Sequence, residues 1–163
     1  MANLGKIFED NWRLSVPNDI FFYRFRDSSG GWNGSAKTRF TPSNIADCLL
    51  EVPFVGLILA ELKSHKGRSI PLSCIAGNKT KEKQMEDLAK ANKFASVYSC
   101  IIVFFSDLER CFELGIDEYF LFLATTDRKS IPIEYFEEHG IEIKVEKLRT
   151  NYRYDIDSWL KEF

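Results

Sequence analysis

The sequence predicts a single mixed α/β domain spanning residues 1–163, with a central β-sheet flanked by helices. Three observations predict it. Residues 55–63 and 98–105 are apolar on both faces, as strands covered on both sides are. Residues 80–95, between them, switch to helical periodicity. The chain of 163 residues, 45% hydrophobic and 28% charged, has the length and composition of one folded domain, neither disordered nor fibrous.

The elements follow in chain order. Residues 4–14 read as a short helix with Leu4, Ile7, Phe8 and Trp12 on one stripe and Asn3 as its N-cap. Residues 21–26 read as a strand from their aromatic content. Residues 28–34, Ser-Ser-Gly-Gly-Trp-Asn-Gly, read as a flexible loop, and 27–44 as a connection open to DNA contact. Residues 45–52 and 55–63 are successive strands. In 80–95, Met85, Leu88, Ala89 and Ala95 form the apolar face, while Lys81, Glu82, Lys83, Glu86 and Lys90 point mostly outward. Residues 98–105 give the strongest buried strand and 110–114 its partner. Residues 117–124 and 132–138 suit short helices, the second with Pro132 near its start and Gly140 past its end. Residues 141–148 alternate as an outer strand, and 155–163 close the chain as a helix or turn. The sequence shows no internal repeat.

Composition excludes several classes of function. No apolar run reaches the ~20 residues of a membrane span, and residues 1–7 lack a hydrophobic signal core. A soluble, cytoplasmic protein is expected. Two histidines, His65 and His139, are too few for histidine-rich metal sites or His-Asn-His nucleases. The four cysteines form no Cys-x-x-Cys pair, so zinc knuckles and thioredoxin-type motifs are not expected. Cys48, Cys100 and Cys111 fall in apolar strands and read as small buried hydrophobes in a reducing compartment. No Gly-rich phosphate loop is present. Charge is uneven: residues 24–93 carry 12 Lys/Arg against 7 Asp/Glu, and residues 94–163 carry 8 against 14. A basic middle and an acidic tail are compatible with holding a polyanion on one surface.

The chemistry concentrates at the end of the 55–63 strand. Residues two apart in a strand share a face, so Leu57, Leu59, Glu61 and Lys63 lie together, opposite Ile58, Ala60 and Leu62. A carboxylate and an ammonium at the end of a buried strand cost desolvation energy unless paired or metal-bound. Asp47 precedes Glu61 by fourteen residues, near the end of the preceding strand, and a hairpin would bring the two carboxylates together. Two hard-oxygen donors suit Mg²⁺, which uses one or two carboxylates plus substrate phosphate oxygens. A divalent ion activates water for in-line attack on a phosphodiester, and a neighbouring lysine stabilises the developing charge. On spacing alone the competing reading is a strand-end salt bridge, with Asp47 capping or pairing with an arginine.

Asp47 followed by Glu61-Leu62-Lys63 resembles the core motif of the PD-(D/E)xK nuclease superfamily, and the chain as a whole resembles RecU-type Holliday-junction resolvases, including their short phage relatives. Gly5-Lys6-Ile7-Phe8-Glu9 resembles the opening Gly-Lys-x-Phe-Glu signature. Lys83-Gln84 sits where the family carries a glutamine, often after a histidine. Residues 99–105 and 110–114 resemble the apolar strand pair that follows. The resemblance spans about residues 4–160, and it departs at Ala46, Cys48 and Lys83, where relatives carry proline, an aromatic residue and histidine.

The resemblance implies a restriction-endonuclease-like fold and a homodimer that nicks a four-way junction symmetrically, leaving 5′-phosphate and 3′-hydroxyl ends. It implies Mg²⁺, with Mn²⁺ as a substitute, held by Asp47, Glu61 and the main-chain carbonyl of Leu62, with Glu9 reaching in from the first helix. Lys63 would orient the attacking water, and Gln84 would support the site or the scissile phosphate. Arg24, Arg26, Lys37, Arg39, Lys79 and Lys81 are expected to contact DNA phosphates, with Lys66, Arg68 and Lys83 as further candidates. Trp32 suits stacking on an exposed base or packing within its loop. The rival functions are another nuclease of the superfamily, restriction- or repair-type, and a non-catalytic nucleic-acid-binding module.

Overall fold

The computed structural model describes residues 4–25 and 44–163. Its elements are α1 (Leu4–Ser15), β1 (Phe21–Arg24), β2 (Cys48–Val52), β3 (Gly56–His65), β4 (Ser69–Pro71), α2 (Leu72–Ala76), α3 (Lys79–Ala91) and β5 (Val97–Phe105). There follow β6 (Arg110–Gly115), α4 (Ile116–Thr125), β7 (Ser130–Pro132), α5 (Ile133–His139), β8 (Ile141–Ile143), β9 (Val145–Lys147), β10 (Tyr152–Tyr154) and α6 (Ile156–Leu160). Among the described residues the main sheet has six strands in the order β1-β2-β3-β5-β6-β8. Among the described strand pairs only β3 and β5 run parallel. Their crossover carries β4, α2 and α3. This is the mixed sheet flanked by helices that the sequence predicts.

Strand alternation builds two cores. Ile58, Ala60 and Leu62 of β3, Cys100, Ile102 and Phe104 of β5, and Cys111 of β6 pack with Phe8 and Trp12 of α1 and Trp159 of α6. Leu59, Ile101, Val103, Phe105, Phe112 and Leu114 face the other way, onto Met85 and Leu88 of α3, Tyr119 and Phe122 of α4, and Phe136 of α5. Aromatic contacts fasten α1, with Phe8 stacked on Phe104 at 5.7 Å and Trp12 edge-on to Trp159 at 5.7 Å. The stripe on α1 differs from expectation. Phe8, Asn11 and Trp12 are buried, while Leu4 and Ile7 stay exposed, because the helix turns its 8–11–12 face to the sheet.

Several boundaries shift for local reasons. The helix expected over 80–95 ends at Ala91, where the side chain of Asn92 accepts the Ser99 N–H at 2.8 Å and donates to Asp117 at 2.9 Å. β3 starts at Gly56, with φ of 107°. A Cβ there would lie 2.3 Å from the Ser96 carbonyl, which accepts the Leu57 N–H. The outer strand expected over 141–148 is two strands. β8 pairs with β6, and β9 turns away to pair with β10. The Lys144 carbonyl between them accepts the Asp155 N–H at 2.9 Å.

Ser69-Ile70-Pro71 and Ser130-Ile131-Pro132 are the same tripeptide, and they pair antiparallel as β4 and β7. Leu72 N–H donates to Lys129 and Ile133 N–H to Arg68, so both prolines fall at positions where the ladder needs no donor. Each proline then precedes a helix. Ile70 and Ile131, at the centre of this ribbon, are fully buried. All four cysteines are free, three of them buried in strands. Among the described residues no helix is long and apolar enough to cross a membrane.

Candidate active site

Glu61 occupies β3 beside Leu59 on the α3 face, and its side chain is almost fully buried. Asp47 lies in a bend just before β2, not within the strand as expected. Its backbone N–H donates to the Ala60 carbonyl at 3.2 Å, one residue out of the Cys48–Ala60 register. Its own carbonyl accepts the Phe25 N–H at 2.9 Å. The ladder ends there because the Asp47 carboxylate accepts the Leu62 N–H through Oδ2 at 2.8 Å. Two bonds to β3 and one to Phe25 therefore fix Asp47, as irregularities at strand ends often aim a side chain.

Lys63 follows Glu61 on the same face. Its Nζ is in direct contact with Glu61 Oε1 and lies 3.9 Å from Asp47 Oδ2. Gln84 comes from α3, which Met85 and Leu88 dock on the sheet, and its Nε2 donates to Glu61 Oε2 at 2.7 Å. Both oxygens of one buried carboxylate are thus held, one by an ammonium and one by an amide. Burial pushes Glu61 up to about 7; Lys63 pulls against that shift and Asp47 adds to it. Burial alone would lower Lys63, but Glu61 and Asp47 outweigh it and raise the ammonium. Cys48, behind the site, is held well above its ordinary value by burial first and then by the charges of Asp47, Glu61 and Glu9. It is a neutral packing thiol.

Of the residues singled out from sequence, Asp47, Glu61, Lys63 and Gln84 converge. Glu9 stands at the margin. Its charge is felt at Lys63, and its carboxylate is in contact with Arg24 Nη2. Arg24 Nη1 reaches Asp10 at 3.3 Å. This second acidic partner had no spacing signal beyond its place next to Glu9. Lys79 is exposed at the start of α3, and Lys81 donates to the Cys74 carbonyl at 3.4 Å. Lys83 pairs with Asp87 at 3.3 Å and Arg68 with Glu134 at 3.0 Å, while Lys66 is exposed. Arg26, Trp32, Lys37 and Arg39 lie outside the described residues, as does nearly all of the 27–44 connection.

The donor chemistry fits a hard divalent cation. Glu61 and Asp47 offer carboxylate oxygens around one ammonium, two hard-oxygen donors of the kind that Mg²⁺ takes. Among the described residues no three His, Cys, Asp or Glu side chains gather to form a cage by themselves. An ion here would take its remaining ligands from main chain, water or substrate, as Mg²⁺ sites commonly do.

A parallel pair at the centre of a mixed sheet, with an acid-x-Lys on its first strand and a second acid on the neighbouring turn, is the arrangement expected of a nuclease of the PD-(D/E)xK class. The chain belongs to the RecU family, Recombination protein U, whose family model matches residues 58–158. It is thereby a metal-dependent, junction-cleaving endonuclease of recombination, a Holliday junction resolvase. Among curated proteins it is 28% identical over 169 residues to the SPbeta prophage-derived uncharacterized protein YotM of Bacillus subtilis (strain 168), covering 93% of this chain and 82% of that one. Among solved structures, Hjc of Archaeoglobus fulgidus, a Holliday junction resolvase from an archaeal hyperthermophile, aligns with a TM-score of 0.48 at 12% identity, over 84% of this chain and 90% of that chain.

Proposed function

We propose that this chain resolves four-way DNA junctions in the cytoplasm as a homodimer, with one Mg²⁺-dependent site per protomer making one of two symmetric nicks. The supporting observation is the meeting of Asp47, Glu61, Lys63 and Gln84 at one end of β3. Asp47 and Glu61 hold the cation, helped by the Leu62 carbonyl and by Glu9. When bound, the cation supplies Lewis-acid stabilisation of the scissile phosphate and lowers the pKa of water. Lys63, already against Glu61, orients the attacking water and offsets negative charge that develops on the phosphorus oxygens. Gln84 keeps the Glu61 carboxylate turned toward the site. Leu62 N–H does the same for Asp47. The products are a 5′-phosphate and a 3′-hydroxyl. Lys79 and Lys81, at the start of α3, extend the phosphate track beyond the site.

The test is cleavage of a synthetic four-way junction and of a linear duplex of the same sequence, with Mg²⁺ or EDTA. The expected result is paired nicks in the junction only, and only with metal. Equal cutting of both substrates would overturn junction selectivity and favour another nuclease activity of the same class. No cutting of either, with the junction still bound, would favour a binding module.

A further inference from the structure

We propose that Arg24 is a partner-exchanging positioning residue: in the free protein its guanidinium occupies Glu9 and Asp10, and on DNA it transfers to a backbone phosphate and releases Glu9 to the divalent cation. This rests on the reading of Asp47 and Glu61 as cation ligands. Arg24 ends β1 and is paired in register with Cys48, the residue after Asp47. The next residue, Phe25, donates its N–H to the Asp47 carbonyl. The backbone of Arg24 is therefore tied to the backbone that carries a metal ligand.

Its side chain bridges two carboxylates of α1, with Nη2 on Glu9 and Nη1 on Asp10. The guanidinium and both carboxylates are part-exposed, at 34%, 25% and 44%, so a phosphate can reach them. α1 holds the Glu9 backbone in place, because its neighbour Phe8 and the next turn's Trp12 are buried against the sheet. The register of Arg24 with Cys48 and its contact with Glu9 bring both charges near β2, in keeping with Glu9 raising and Arg24 lowering the buried Cys48 thiol.

Glu9 is thus in contact with one cation, the Arg24 guanidinium fixed to β1, and would take the divalent ion as a second partner. A guanidinium matches phosphate as well as it matches carboxylate, through paired N–H donors. A phosphodiester at the rim attracts the guanidinium at the moment that the cation attracts Glu9. The two bindings then assist each other, and the assistance is reciprocal. The rival account is a plain staple between β1 and α1, which predicts lost stability and nothing else.

The experiment measures Mn²⁺ binding to the full chain without DNA, by the electron paramagnetic resonance of the free ion. The proteins are wild type, Arg24→Ala, Arg24→Lys, Glu9→Gln and the double variant Arg24→Ala/Glu9→Gln. Arg24→Ala is expected to tighten Mn²⁺ on the order of tenfold by removing a competing positive charge. Arg24→Lys should fall between, since an ammonium cannot bridge both carboxylates. Most of the gain should vanish in the Glu9→Gln background. In EDTA, Arg24→Ala should bind a four-way junction more weakly and flatten the salt dependence by about one phosphate contact.

An Arg24→Ala protein that melts earlier yet binds Mn²⁺ with wild-type affinity overturns the exchange, as does an unchanged salt dependence. If Arg24→Ala does not fold, the same comparison with Arg24→Lys decides. A wild type that binds no Mn²⁺ is a different result, because it removes the metal-site reading itself.

Discussion

Two glutamates lie buried in one sheet, on opposite faces and two strands apart, and only one belongs to the site. Glu61 on β3 and Glu113 on β6 are 3% and 1% exposed, and burial pushes each up to about 7. Glu61 meets an ammonium, an amide and, across Lys63, a second carboxylate. Glu113 meets one phenol, the Tyr98 hydroxyl at 2.7 Å, and then the apolar core. A displaced carboxyl therefore does not by itself mark chemistry. What separates the two is the company of opposite and like charge that surrounds Glu61 and that Glu113 lacks.

The largest expected effect tests that company directly. Glu61→Gln or Asp47→Asn should lower junction cleavage by about 10³-fold or more while junction binding in EDTA survives or tightens, because negative charge leaves the rim. Cleavage rates and gel-shift affinities on the same protein check it. Lys63→Ala should lower the rate by roughly 10²- to 10³-fold, since the developing phosphate charge loses its ammonium. Added metal should not restore it, which separates its role from that of the ligands. Gln84→Ala should cost about 10- to 100-fold, as expected for a group that orients a ligand without being one. Its deficit should shrink at high Mg²⁺.

The smallest effect on activity belongs to Glu113. In the fold this acid keeps its proton up to about 7, mainly because burial disfavours its charge, with the Tyr98 bond pulling partly back. In the unfolded chain it ionises near 4.5. Unfolding therefore releases a proton between those values, and the contribution of Glu113 to stability falls as pH rises from 4.5 to about 7 and is level above. Glu113→Gln should flatten that dependence and stabilise the protein by on the order of 2 kcal/mol in mild alkali. It should change nothing at pH below 4.5, and junction cleavage should stay at the wild-type rate. Thermal unfolding across pH, alongside the cleavage assay, reads both.

The sheet and the heart of the site were legible because their signals are local. Runs such as 98–105 announce buried strands, and alternation alone puts Glu61 and Lys63 on one face. Gln84 is reached only through the resemblance, which puts a glutamine early in this helix; periodicity alone leaves it a surface residue. What escaped depends on long-range geometry. That Asp47 precedes its strand follows from the side chain taking the Leu62 N–H, which no spacing shows. Sequence offers Arg24 as a phosphate contact, and its bridge to Glu9 and Asp10 exists only once α1 folds against β1. The pairing of two Ser-Ile-Pro segments joins distant parts of the chain, so each looks in isolation like an ordinary turn.

That last ribbon has a consequence for assembly. The crossover bearing Gln84 leaves β3 through β4, and β4 finds its partner only when residues 130–132 arrive from the second half of the chain. The amide that steadies Glu61 thus depends on a stitch sewn late and far from the reactive groups. A bulky or polar replacement of Ile70 or Ile131 would unpick that stitch and leave every acid and lysine of the cutting edge chemically intact but poorly aimed.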